Sequence, residues 1–160
     1  MITNNNLDYS FDIPKEENVE LFLGSTVLIR DCIFPFRSPT CFKDIPVVLA
    51  TKDKWLAIAS LARCSMEDCE YGFMEDICGC ASTPFFEIKS RAALDKLIRS
   101  GGYLYQLETD GFRGDIRLPL FRHNFVHFSP VRILSYQPIF SAFYSLQKEN
   151  LPVVYNFSDY

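Results

Sequence analysis

With 160 residues, 48% of them apolar, the chain has the size and hydrophobic content of one globular domain around a single core. A formal net charge of −4 leaves no basic footprint for neutralising phosphates, and no apolar run approaches the ~20 residues that span a bilayer, so nucleic acid and membrane are both argued against as partners. Fifteen phenylalanines and eight tyrosines favour a core of aromatic side chains on strands over a helical bundle.

Residues 1–18 are rich in Asn and carboxylates and are broken by Pro14, so they read as a polar N-terminal arm preceding a single domain over 19–160. The N-terminus lacks the basic start and apolar run of a secretory signal, and a cytoplasmic protein with reduced thiols is expected. VELFL (19–23) has strand character and ends at Gly24-Ser25; a second apolar run, TVLIRDCIF (26–34), precedes a loop marked by Pro35 and Pro39. IPVVLA (45–50) is continuously apolar, as a central strand covered on both faces would be. Thr51 is placed to cap the next helix, and WLAIASLA (55–62), apolar almost all round, predicts a helix inside the fold with Trp55 and Leu61 buried.

The stretch CSMEDCEYGFMEDICGC (64–80) packs four cysteines among five carboxylates. Its spacing, C-x4-C-x8-C-x-C, lacks the paired knuckles of a structural zinc site, no C-x-x-C occurs anywhere, and neighbouring carboxylates disfavour a thiolate. It reads as an acidic loop with neither a metal nor a redox role. FFEIK (85–89) is the next strand. Ser90 then caps RAALDKLIRS, where Leu94, Leu97 and Ile98 form an apolar stripe, Arg91, Asp95, Lys96 and Arg99 face solvent, and Gly101 supplies a left-handed end. YLYQLE (103–108) alternates and closes at the turn Thr109-Asp110-Gly111; 124–136 reads as a long strand broken at Pro130, and SAFYSLQKE (141–149) as a short terminal helix. Strands mixed with a few helices make an α+β fold.

The only histidines, His123 and His127, would lie roughly 13 Å apart on a strand at ~3.3 Å per residue, too far to share an ion, and each reads as satisfied or solvated. Gly24-Ser25 belongs to no phosphate-binding fingerprint and by itself reads as a turn.

Three segments in order, LFLGST (21–26), VVLATKDKWLAIASLA (47–62) and GGYLYQLETDGF (101–112), resemble the core of ADP-ribosyltransferases of the diphtheria-toxin and poly(ADP-ribose) polymerase type. They are also similar to a group of small bacterial proteins in which a strand ends in His-Gly-Ser, an Ala-Thr-Pro-Asp-like turn follows, and Gly-Gly-Tyr-x-Tyr comes later. The resemblance runs from about residue 19 to about residue 136 and implies a split, mainly antiparallel sheet with a cleft at Gly24-Ser25. In the enzymes the histidine holds the ribose of NAD and the next glycine's backbone binds the nicotinamide amide. An aromatic residue of the buried helix stacks on nicotinamide, and a late-strand glutamate supports the oxocarbenium-like transition state.

Here Gly24 and Ser25 match and are the implied cofactor-binding positions, but Leu23 stands at the histidine position, Ala59 at or near the stacking position and Asn124 near the glutamate. Leucine donates no hydrogen bond, alanine offers no π-face, and a neutral amide does not replace a carboxylate beside a developing cation. The resemblance thus implies a domain with no catalytic residue, binding a nucleotide-like ligand such as NAD or a protein partner. One alternative is an active NAD-dependent transferase or glycohydrolase in which Glu108, Asp110 or His123 enters the cleft. Another is an interaction module whose cleft is filled by Phe22 or Trp55. A pyrophosphate would need cationic lining, for which Arg30, Arg37 and Arg122 are the candidates.

Overall fold

The computed structural model of the chain describes residues 10–12, 18–37, 45–65, 67–75, 77–79, 82–115 and 124–157. In chain order these form β1 (Ser10–Asp12), β2 (Leu21–Ser25), β3 (Cys32–Ile33), β4 (Val48–Thr51) and α1 (Lys54–Ala59), which runs into a 3-10 turn (Ser60–Ala62). A hairpin of β5 (Cys69–Glu75) and β6 (Ser82–Ile88) leads to α2 (Arg91–Arg99), β7 (Gly102–Leu107), β8 (Arg113–Asp115), β9 (Asn124–His127), β10 (Val131–Ile139), α3 (Ala142–Lys148) and β11 (Val153–Tyr155). The described residues make a single α+β domain with one large antiparallel sheet and three α-helices.

The large sheet has the order β1-β8-β9-β4-β2-β7-β10-β3, and β1, lying within the stretch read as an arm, adds its outer strand beside β8. β2 pairs with β7 along its whole length, from Leu21↔Leu107 to Ser25↔Tyr103, and β4 pairs with β9 from Val48↔His127 to Thr51↔Asn124. Between β2 and β4, however, the register holds one residue pair, Phe22↔Thr51. The sheet is two four-stranded halves joined at a seam.

Side-chain alternation along β2 separates two cores. Leu21 and Leu23 point to a face packed with Val48, Ala50, Tyr105 and Phe125, whereas Phe22 faces α1. The Tyr105 hydroxyl ties the segment after β2 over the first face, accepting from the Ile29 amide at 2.7 Å and donating to the Val27 carbonyl at 2.9 Å. On the other face α1 is covered by β2, α3 and the small sheet of β11, β6 and β5, which is why a helix without a polar face is tolerated. Trp55 and Leu61 are buried there, as expected from the pattern.

Four expectations need correction. Residues 69–75 of the cysteine-rich stretch are strand rather than loop, paired with β6 from Cys69↔Ile88 to Glu75↔Ser82; Cys69, Tyr71 and Phe73 alternate along it, a period masked by Glu70 between them and the acidic residues on either side. Thr51 does not cap α1: the N-cap is Asp53, and the Thr51 hydroxyl instead accepts from the Asp53 amide at 3.1 Å, shaping the turn before the helix. Gly101 is not left-handed, because α2 ends in an extended Ser100; glycine is required there since a Cβ would stand 2.5 Å from the Ile139 carbonyl oxygen. Residues 124–136 are not one interrupted strand, since β9 joins β4 in one half of the sheet while β10 joins β7 in the other. The Ser90 cap of α2 is as expected, its hydroxyl accepting from the Ala93 amide at 3.0 Å. Among the described residues no helix is long and apolar enough to cross a membrane.

Candidate functional site

Past Phe22 the two halves of the sheet part, and the gap opens into a cavity of about 370 Å³ lined by Gly24, Thr51 and Asn124 from three adjacent strands and by Ala57 and Ser60 after them. Three aromatic rings, Phe22, Phe36 and Tyr71, also line it. Phe36 is set beside β4 by a pair of backbone hydrogen bonds with Val47, at 3.0 and 2.9 Å. Tyr71 projects from β5, stacked on Phe86 and met edge-on by Trp55 at 6.0 Å. A second cavity, about 800 Å³, adjoins the first at Leu23, Gly24, Phe36 and Ser60, and runs past Ser25, Thr26 and Phe34 to Arg63.

Gly24 lies where strand and helix backbones come closest: a Cβ there would collide with the Ala57 carbonyl oxygen and reach 3.0 Å from the Ser60 hydroxyl. That hydroxyl donates to the same Ala57 carbonyl at 2.7 Å, at the point where the α-helix tightens into the 3-10 turn. The turn ends at Arg63, whose backbone is left-handed (φ 49, ψ 41), with its amide donating to the Ser60 carbonyl at 3.2 Å and its carbonyl accepting from the Lys96 ammonium at 3.0 Å. Arg63 is the one charged side chain among the described residues that line either cavity.

The structure brings Leu23, Gly24 and Asn124 to the same cavity and places Ser25 in the larger one, where its hydroxyl accepts from the Val27 amide at 3.2 Å. Ala59 is buried but lines neither; Ala57 and Ser60 take the helix side instead. Glu108 lies beyond the end of β7, paired with Arg132 at 3.5 Å, and four residues from Leu104, the partner of Gly24, amount to roughly 13 Å along a strand. Asp110 sits in the following turn, and neither carboxylate lines either of these two cavities. Arg30 and Arg37 are exposed outside both linings, and the cation that lines the larger cavity is Arg63; His123 and Arg122 lie outside the described residues. Trp55 does not fill the gap, and Phe22 is part of its wall.

His127 is satisfied on both sides. Its Nδ1 accepts from the Ser129 amide at 3.0 Å, which leaves Nε2 as the donor to the Asp110 carbonyl at 3.1 Å and makes the ring the neutral Nε2–H tautomer. Burial, the hydrogen bond that the Cys69 thiol donates toward Cys64 and the negative charge of Asp68 push the Cys69 thiol up to about 12, so it is no nucleophile at neutral pH. Three His, Cys, Asp or Glu side chains do not converge anywhere among the described residues.

Chemically the lining offers apolar walls, four aromatic rings, an amide, hydroxyls and one guanidinium, and no described carboxylate or imidazole. It suits a flat ring with hydrogen-bonding substituents joined to an anionic group. Arg63 had a weak signal in the sequence, as the first charged residue after the buried helix, whereas Phe36 and Tyr71 reach the cavity through the packing of their segments beside β4 and α1, which no local pattern encodes. No protein-family model, curated protein or solved structure matches the chain.

Proposed function

We propose that the chain is an ADP-ribosyltransferase-like domain that binds a nucleotide-like small molecule in the seam cleft and does not turn over NAD. The observation that carries this reading is the convergence at one open cavity of Gly24, Leu23 and Asn124, three positions that the resemblance aligns with the NAD site. Gly24 retains the backbone that, by the resemblance, binds the nicotinamide amide. Leu23 and Asn124 lack the imidazole and carboxylate that ionising the glycosidic bond requires, and loss of one such electrostatic contact typically forfeits ~10²–10³ in rate.

Calorimetry with NAD, run beside an assay for nicotinamide release from labelled NAD, tests both halves. Saturable binding with nicotinamide release at the background rate is expected. Release above background would replace this reading with an active enzyme, and absence of binding would remove the nucleotide-like ligand.

Exposed apolar side chains beside the larger cavity favour a second reading, a protein partner: Val27 and Phe34 are 64% and 67% exposed. Under it, Val27→Glu, outside both cavity linings, abolishes capture of the partner and leaves NAD calorimetry unchanged.

A further inference from the structure

The two lobes of the cleft differ in charge. The smaller, at the seam, is lined among the described residues by neutral side chains alone, and the larger contains one cation, Arg63. That residue is held by its backbone at both ends, amide to Ser60 and carbonyl to Lys96, in a left-handed conformation that a non-glycine residue adopts at a cost and that is enriched at binding sites. Its guanidinium carries no salt bridge to a described carboxylate, in contrast to Arg132, Lys54 and Lys89. An exposed planar fork of donors, carried on a backbone held at both ends and lining a cavity that contains no described negative side chain, is suited to a bidentate oxyanion.

We infer that Arg63 holds an anionic group of the ligand in the larger lobe, with the uncharged ring in the smaller lobe beyond Gly24, so that the site selects a phosphorylated nucleotide over its nucleoside. The inference rests on the proposed nucleotide-like ligand and adds the residue and the charge that determine its class. Gly24, which belongs to both lobes, marks the crossing point.

The test compares AMP with adenosine, and uses NAD as the reference, by calorimetry on the full chain. The wild-type protein binds AMP about 10- to 100-fold more tightly than adenosine, the range of a charge-assisted hydrogen bond. Arg63→Asn removes the charge while keeping a residue that accepts the left-handed backbone, and it brings the AMP to adenosine ratio near one. Arg63→Lys retains part of the preference. Raising the ionic strength several-fold weakens AMP binding to the wild-type protein and leaves adenosine unchanged, an arm that needs no variant. If NAD binds but the AMP preference is absent, survives in Arg63→Asn, or is indifferent to salt, Arg63 is not the anion site and the nucleotide reading stands alone. If the wild-type protein binds none of the three, the reading and the inference fall together.

Discussion

At Gly24 the constraint on the side chain is steric before it is chemical. The Ala57 carbonyl belongs to a helix backbone locked between two sheets, so it does not swing aside for a Cβ as the end of a flexible side chain would. Gly24→Ala therefore forces the strand and helix apart and is expected to destabilise the fold by ~1–3 kcal/mol, the usual cost of overpacking. For a domain of this size that lowers the melting temperature by about 2–4 °C per kcal/mol. A thermal melt of Gly24→Ala superimposable on wild type would mean that α1 rides higher on the sheet than described. The Gly-Ser match that first suggested a cofactor site thus has a packing cause as well, and a loss of binding in this variant is interpretable only beside its stability.

Among the elements, α1 links the large sheet, the small sheet and α3, and Trp55 is its main contact with the small sheet, edge-on to Tyr71 at 6.0 Å and to Phe73 at 5.9 Å. Trp55→Ala is expected to cost ~3–5 kcal/mol through lost burial and an unfilled void. Because Tyr71 lines the smaller cavity, the same change loosens a wall of the cleft. Urea unfolding with an unchanged midpoint, or wild-type fluorescence that is red-shifted and readily quenched, would contradict the burial of this indole. Elements of this kind were legible in the sequence because their signals are local: an unbroken apolar helix, Ser90 ahead of an amphipathic stripe, alternation in β7. β5 was not, since its Cys-x-Tyr-x-Phe alternation is interleaved with Glu70 and framed by an acidic loop. β11 pairs in parallel with a strand more than 60 residues earlier, a choice made by tertiary packing alone.

On the scale of the whole molecule, the seam between β2 and β4 makes the cleft, and nothing local in either strand announces it; Gly24 and Asn124 were legible as a pair through resemblance, not through pattern. The two cores flanking that seam each hold an acid kept neutral by burial, Cys69 on the helical side and Tyr105 on the other. Burial raises the Cys69 thiol from 9.0 to about 12, helped by Cys64 and Asp68, and burial likewise raises the Tyr105 phenol above 10.0 against the lowering effect of the Ile29 amide. A raised value means that the folded chain binds the proton more tightly than the unfolded chain, so both groups contribute their full stability below pH 9. That contribution is lost as pH rises above 9.0 for Cys69 and above 10.0 for Tyr105, and for Cys69 the loss continues to about 12. Lys89, raised by its hydrogen bond to Glu70 at 2.8 Å, has the same sign but is too exposed to weigh much. The melting temperature is therefore expected to fall steadily above pH 9, and Cys69→Ala to make that fall shallower while leaving the neutral-pH fold intact. Alkylation gives an independent reading of the same proton: at pH 8 the exposed Cys78 reacts readily and Cys69 stays silent until the protein unfolds. Equal rates for the two thiols in folded protein would show that Cys69 is neither buried nor held neutral, and the alkaline loss of stability would then need another source.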